Sequence, residues 1–414
     1  MGNNWKIRVS IFINYFIFAI LLNSVGTVIL QVQRYFQATS AEASYLDGFK
    51  DISIAVTSFF IASFLTRIGY RKSMLISLAV LALGCFTLPL VNTFMAIRLL
   101  FALTGFCFGI TKMCVYSIIG LITRTEKEHI SLMSFLESFF MIGILSGNFI
   151  FSWFIDDKNP HSAEWLHTYY VLGALTVIAF LFLLIAPLDE SASKPATGEN
   201  KIANNYIAMF RLAVEPMVLS FIVCAFVYVL IEQSVMNWLP TFNNQVLKIP
   251  STYSVIIAGI MAASTGLGRF CAGIVMKKLS WLAVLVICLV CAAALVLIAI
   301  PLANNSVVNN INSWKDVPLA AYVFPMIGFF IAPVYPAINS IILSSLPKTR
   351  HGEMSGLIVI FSALGGTLGS IIIGHIFQRY GGEKAFYFIL VPIACLLAAL
   401  IIFDKRHKQT TKAI

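Results

Sequence analysis

Two ionisable residues, Lys112 and Glu137, interrupt the otherwise apolar stretch FALTGFCFGITKMCVYSIIGLITRTEKEHISLMSFLESFFMIGILSGNFIFSWF at residues 101–154. Their midpoint falls in the polar turn Arg124-Thr125-Glu126-Lys127-Glu128-His129. Two antiparallel helices leaving that turn carry them to one depth, about twelve residues or roughly 18 Å away, near the middle of a bilayer. There an ammonium and a carboxylate favour each other's ionised forms. Such a pair either holds its two helices together or meets a polar solute, with Lys112 exchanging Glu137 for the solute's anionic group. A further carboxylate, Glu232, stands one helical turn beyond Tyr228 in Tyr228-Val229-Leu230-Ile231-Glu232-Gln233-Ser234. An ionisable residue inside a membrane span is a functional candidate by default. Asp47, Lys50 and Asp51 cluster at i+3 and i+4 spacing near the start of another apolar run, where they could gate a pathway or carry protons. Asn23 and Thr27 share one helical face of the first run, either bonding a neighbouring helix or lining a solute path.

The elements that must hold these residues follow from composition. With 59% hydrophobic and only 11% charged residues, the chain departs far from a soluble domain, which carries about 25% charged. Twelve apolar spans are expected, at about 9–30, 47–66, 73–92, 96–122, 131–155, 168–187, 217–240, 253–276, 281–302, 317–345, 354–377 and 385–403. Each is long enough to cross a bilayer as a helix, and the runs are continuous rather than alternating, which excludes a barrel. The stretch 101–154 has an ungapped partner at 324–377: Phe101 aligns with Phe324, Gly105 with Gly328, Ser117 with Ser340 and Gly143 with Gly366. The offset is constant (328 − 105 = 223), so the chain is two related halves. An all-α membrane fold of two pseudo-symmetric six-helix bundles is expected, with halves at 1–188 and 216–414 joined by a cytoplasmic linker at 189–215.

The net charge of +10 is a topology signal and not a nucleic-acid footprint. With the N-terminus inside, eighteen basic residues fall on the cytoplasmic side, among them Arg67, Arg71, Lys72, Lys277 and Lys278. Seven fall on the other side, the positive-inside pattern with both termini cytoplasmic. The first run starts with Lys6 and Arg8 and is too long for a signal-peptide core, so it is read as a retained helix. All eight cysteines lie within spans, which argues for packing over a disulfide framework. Cys288-Leu289-Val290-Cys291 has a redox or metal spacing but lies inside an apolar run, where packing is the expected role; no nucleophile–base set or nucleotide-binding loop is evident, so neither a cofactor, a metal nor an enzymatic activity is expected.

The junction Thr66-Arg67-Ile68-Gly69-Tyr70-Arg71-Lys72 and its counterpart Gly268-Arg269-Phe270-Cys271-Ala272-Gly273 resemble the basic, glycine-containing loops of the major facilitator superfamily. The first junction lacks the aspartate that the family places there. The Tyr228/Glu232 spacing with Trp238, and Tyr335-Pro336-Ala337-Ile338-Asn339-Ser340, resemble the fucose/glucose/galactose permease branch. Gly109-Ile110-Thr111 and Glu137-Ser138-Phe139-Phe140 are similar to a TsgA-like subgroup. The resemblance spans the whole chain and implies alternating access by a monomer. It adds Tyr335 and Asn339 to Asn23, Thr27, Lys112, Glu137 and Glu232 as expected solute-binding residues. It gives Arg67, Gly69, Arg71 and Arg269 a conformational role. Fucose permeases carry acids where Gly26 and Lys112 stand here, so the expected proton carriers are Glu137, Glu232, Asp47 and Asp51.

These readings describe a secondary carrier in a bacterial inner membrane. It moves a small polar solute, sugar-like or an organic anion, with protons; the alternative is an exporter of an amphipathic compound. Cysteines engineered at 158–162 should react with an impermeant thiol reagent in intact cells, and those at 194–200 should not. Labelling of the second group from outside overturns the orientation.

Overall fold

A computed structural model describes residues 4–123, 126–188, 190, 209–304, 311, 313–347 and 350–413. The side chains of Arg67 and Glu137, and the linker residues 191–208, lie outside the described residues. No strand occurs among the described residues. Among the described residues, ten helices are long and apolar enough to cross a membrane, with a shorter apolar helix at Ser138–Ser152, consistent with a twelve-crossing fold. The first half has α1 (Asn4–Asn23), α2 (Val25–Tyr35), α3 (Ser40–Ile68), α4 (Tyr70–Val91), α5 (Phe94–Ile122), α6 (Glu126–Ser152) and α7 (Thr168–Ile185). The second has α8 (Pro216–Gln245), α9 (Ser251–Val275), α10 (Trp281–Asn304), α11 (Leu319–Ile331), α12 (Val334–Ser344), α13 (His351–Tyr380), α14 (Gly382–Phe388) and α15 (Leu390–Ala413). A 22-residue helix such as α4 rises about 33 Å, the thickness of the hydrocarbon core.

Three spans expected as single helices are divided, the last at Ile389 between α14 and α15; the other two breaks have a local chemical reason. In the first crossing, Asn23 Nδ2 donates to the Ala19 carbonyl (2.9 Å) and Ser24 Oγ donates to that of Leu21 (2.9 Å). Side chains that take carbonyls of the preceding turn compete with the backbone ladder, and the helix breaks between α1 and α2 at Ser24. The tenth crossing divides before α12, where Pro333 has no N–H to offer the Phe329 carbonyl. The second crossing begins earlier than the apolar run, because Thr39 and Glu42 form a reciprocal capping box. Thr39 N donates to Glu42 Oε2 (2.9 Å), and Glu42 N donates to Thr39 Oγ1 (3.2 Å).

Packing divides the chain into two compact units. The first holds Met1–Val25, Arg34–Phe36 and Phe49–Glu199; the second holds Gly26–Gln33, Gln37–Gly48 and Asn200–Ile414. The break at Ser24 is therefore also the point where the chain leaves the first unit. Within the first, α6 lies on α1, and a Cβ at Gly143 would sit 2.6 Å from the Phe16 carbonyl oxygen. Within the second, α13 lies on α8, and a Cβ at Gly365 would sit 2.3 Å from the Phe226 carbonyl oxygen. Small residues at these crossings let backbones approach where lipid gives no hydrophobic drive for helices to associate. The tightest contact joins α9 to α11: a Cβ at Gly268 would lie 2.0 Å from the Phe329 carbonyl oxygen. Gly268→Val must push these helices apart, an overpacking cost of about 1–3 kcal/mol. The variant should insert in lower yield and melt several degrees below the wild-type protein in detergent; an unchanged melting curve would contradict the close approach.

Candidate functional site

Each unit holds its own polar cluster. In the second, α8 presents Tyr228 and Glu232 one turn apart. Tyr228 Oη donates to Glu232 Oε1 at 2.6 Å. Arg269, on α9, donates from Nη2 to the same oxygen at 3.4 Å. The Glu232 side chain is 17% exposed and that of Arg269 32%, so the pair is half-screened rather than dry. The Tyr335 ring stacks on that of Tyr228, with centroids 5.4 Å apart and 20° between planes. Tyr335 Oη lies 3.0 Å from Ser362 Oγ on α13. Tyr335 follows the Pro333 break directly, and Asn339 is one turn further along α12 with its Oδ1 enclosed and lacking a partner among the described residues. A carboxylate with two donors on one oxygen is oriented by them, so its second oxygen faces a neighbour in a fixed direction. Arg269, expected in a conformational role, is thus placed on the carboxylate. Nothing in the sequence pairs residues 37 positions apart on two helices.

The remainder of α8 carries Gln233, Asn237, Thr241 and Gln245 at four-residue spacing. Asp47 is fully enclosed, and its Oδ2 accepts from Asn237 Nδ2 at 2.7 Å. The three charges at the start of α3, expected to act together, are parted: Asp47 packs in the second unit, while Lys50 and Asp51 belong to the first. There Lys50 Nζ lies 3.4 Å from Asp51 Oδ1 and 3.4 Å from the Leu22 carbonyl. Thr27, 1% exposed, also packs in the second unit, while Asn23 stays in the first and spends its amide on the α1 carbonyl.

The first unit holds Lys112 on α5 among aromatic rings. Its Nζ is 5.9 Å from the Phe108 centroid and 5.8 Å from that of Tyr116, within cation–π range. Tyr15 on α1 closes the group, with its centroid 6.0 Å from Phe108 and 6.5 Å from Tyr116.

Gly69 and Arg71 form a clasp at the junction of α3 and α4. Gly69 has φ +95°, and a Cβ there would lie 2.7 Å from Glu190 Oε2. Glu190 accepts from the amides of Tyr70 (2.9 Å) and Arg71 (2.8 Å), a carboxylate on the N-terminus of α4. The Arg71 guanidinium donates back to the carbonyls of Leu183 (3.2 Å) and Leu184 (2.5 Å) at the end of α7. Sequence reasoning took Glu190 as linker; the signal lay in the absence of an acid at the junction itself. It also missed the ion pairs at the helix starts. Arg8 on α1 bonds Glu128 on α6, and Glu215 before α8 bonds Arg350 before α13 (2.5 Å), the same arrangement with the signs exchanged.

Ten helices long and apolar enough to cross a membrane among the described residues define an integral, multi-pass membrane protein. The sequence profile of the Major Facilitator Superfamily matches residues 11–370 and 314–413, and the chain belongs to that family. It is similar to the "Protein TsgA homolog" of Buchnera aphidicola subsp. Acyrthosiphon pisum (strain 5A), 19% identical over 402 residues covering 96% of each chain. The protein of the same description from Buchnera aphidicola subsp. Baizongia pistaciae (strain Bp) is 21% identical over 396 residues, 95% of this chain and 94% of that one. Among solved structures, the fold matches the nucleoside transporter NupG with a TM-score of 0.72 at 15% identity, over 97% of this chain and 100% of that one. It matches the D-xylose-proton symporter at 0.73 with 13% identity over 97% of each. It matches the transporter FucP in its outward conformation at 0.61 with 14% identity, over 96% and 98%.

The contact between Glu232 and Arg269 can be measured without a solute. In a double-mutant cycle on thermal stability, Glu232→Gln and Arg269→Gln should couple by about 0.5–1 kcal/mol, given their partial exposure. Strict additivity of the two changes would show that the groups do not meet.

Proposed function

We propose that the protein is a secondary active carrier that imports a small polar solute, sugar-like or an organic anion, by alternating access with proton coupling. The observation that carries this reading is the Tyr228–Glu232–Arg269 cluster: a carboxylate in a membrane span, oriented by two donors and flanked by stacked tyrosines. Hydroxyl-rich solutes are held by such oriented polar groups beside aromatic faces. Glu232, Tyr335 and Asn339 would bind the solute from the second half, and Lys112 and Glu137, with Asn23 and Thr27, from the first. Lys112 would take an anionic group, its ammonium being steadied by Phe108 and Tyr116. Glu232 and Glu137 would carry the proton. The neighbours named for nucleosides, D-xylose and fucose support solutes of this size and polarity. The excess of basic residues on one side supports placing both termini in the cytoplasm; the same reading puts the chain in a bacterial inner membrane as a monomer, with functional halves at 1–188 and 216–414 and a linker at 189–215.

Proteoliposomes given an inward proton gradient and offered labelled D-xylose, L-fucose, uridine or D-glucuronate test this. Accumulation of at least one should collapse when the gradient is dissipated. Glu232→Gln should cut that uptake by about tenfold or more while reconstituting normally, the loss expected for a missing charge-assisted hydrogen bond. No accumulation of any of the four would refute the proposed solute class, and unchanged uptake by Glu232→Gln would remove that residue from the site.

A further inference from the structure

Within the second unit, α10 packs on α15, and their adjoining ends enclose a cavity of about 450 Å³ that shares no residue with the Tyr228–Glu232–Arg269 cluster. Ser280, Trp281 and Ala283 at the start of α10 line it together with Asp404 and Lys408 of α15, and Val286 and Ile287 continue the lining along α10. The two ends of this lining differ in chemistry. Ile287 lies about 10 Å along the helix axis from Ser280. It is 55% exposed, within a span long and apolar enough to cross the membrane. Trp281 is half-buried, its ring centroid 6.1 Å from that of Phe403 at 62°. An indole at the end of a membrane span marks the headgroup level. There the Asp404 carboxylate, 9% exposed, accepts from Lys408 Nζ at 2.6 Å. That bond uses one of the ammonium's three donors and steadies a side chain that is itself 67% exposed. Ser280 Oγ accepts from the Ala283 amide at 3.4 Å, a bond that does not use its own proton. Lys277, Lys278, Lys405 and Arg406, all exposed, flank the same two helix ends. Over residues 277–281 and 404–409, five cations against one carboxylate leave a net charge of +4 (5 − 1, with His407 neutral).

We propose that this cavity binds an anionic phospholipid, with the lipid phosphate on Lys408 and Ser280 and one acyl chain against Val286 and Ile287. Basic residues beside a membrane span attract acidic headgroups. The apolar lining favours a lipid over a free anion, because it runs from headgroup depth into acyl depth, where buried chain adds to the electrostatic attraction. Asp404 is a positioning residue: it holds Lys408 at the mouth of the cavity and makes no lipid contact. The site goes beyond the carrier reading. Only the choice of leaflet, the cytoplasmic one, rests on the orientation proposed above.

The full chain, delipidated in detergent, is mixed with equimolar dioleoylphosphatidylglycerol and dioleoylphosphatidylcholine, and bound lipid is counted by native mass spectrometry. The two lipids share their chains and differ in headgroup charge. One phosphatidylglycerol should be retained per protein, preferred by about tenfold or more, the effect of two or more nearby cations. Lys408→Gln combined with Asp404→Asn removes the phosphate contact without leaving a carboxylate unpaired. It should lower phosphatidylglycerol retention about fivefold and leave phosphatidylcholine at its parent level. Ala283→Trp fills the cavity from an exposed position and changes no charge; it should lower phosphatidylglycerol retention at least as far. Equal retention of the two lipids by the parent chain, or parent-level retention of phosphatidylglycerol in either variant, overturns the site. Displacement of the bound lipid by an equal concentration of inorganic phosphate assigns the cavity to a free anion and overturns the lipid. If the paired change fails to insert, Ala283→Trp decides alone. Solute uptake enters none of these measurements, so the carrier reading and the lipid site fail separately.

Discussion

A polar group within the hydrocarbon has no water to bond, so its partner must come from the protein. Much of this chain's geometry follows from that constraint. Isolated hydroxyls and amides meet it on their own helix: Asn14 donates to the Ser10 carbonyl, Thr104 to that of Leu100 and Thr176 to that of Leu172. These residues need no neighbour, and they leave the helix face free for packing. Charged groups cannot be satisfied this way. Glu232 has Tyr228 and Arg269, Asp47 has Asn237, and Lys50 has Asp51 and a carbonyl. The ionisable groups of the spans therefore fix which helices lie together, where apolar packing alone would tolerate several rotations.

The same constraint explains where the crossings break. A kink frees carbonyls, which is tolerable in a membrane only where side chains or a polar cavity take them up. At Ser24 the side chains of Asn23 and Ser24 do so. At Pro333 the break precedes Tyr335, whose hydroxyl meets Ser362, and Asn339. Both breaks thus fall beside polar residues, and discontinuous helices of this kind are where carriers place their solute sites. The Ser24 break also falls beside the point where the chain passes between units: α1 packs in the first, with Tyr15 beside Phe108, and Gly26–Gln33 pack in the second, with Gln33 bonded to Thr241.

Span positions, the half-length repeat and the family were legible in the sequence, because each depends only on runs of apolar residues and on local motifs. Partners were not legible. In a soluble helix, apolar periodicity reveals which face is buried; here lipid-facing residues such as Leu83 and Val290 are as apolar as the enclosed Leu81 and Leu289. With rotation hidden, Arg269 could not be turned towards Glu232, nor Asp47 away from Asp51. The i+4 series on α8 was visible in principle, yet of its members only Gln233 appears, within the Tyr228–Ser234 motif and with no role. What marks the whole series as one face is the set of residues that bond it, and these lie some two hundred positions earlier. Glu190 was hidden for a different reason: its role depends on the positive φ of Gly69, which a glycine permits but does not announce.

The repeat separates what the fold requires from what this protein does with it. Gly105 and Gly328 align, and each admits the preceding even-numbered crossing: a Cβ would meet the Lys50 carbonyl oxygen at 2.2 Å in one half and Met261 Cγ at 2.9 Å in the other. Gly143, and Gly365 beside its aligned partner Gly366, give α1 and α8 the same close approach. The ion pairs at the helix starts recur with exchanged signs, as expected where only complementarity matters. Mid-span chemistry does not recur. The position equivalent to Lys112 is Tyr335, and that equivalent to Glu137 is Ile360 (112 + 223 and 137 + 223). Lys112 and Tyr335 nevertheless share a setting, one beneath Phe108 and Tyr116, the other stacked on Tyr228. A scaffold that keeps aromatic walls in both halves but charges them differently has an asymmetric task. Packing supplies no reason for the difference at this position, since Tyr335 is seated without a charge in the second half; the solute contact proposed for Lys112 supplies one.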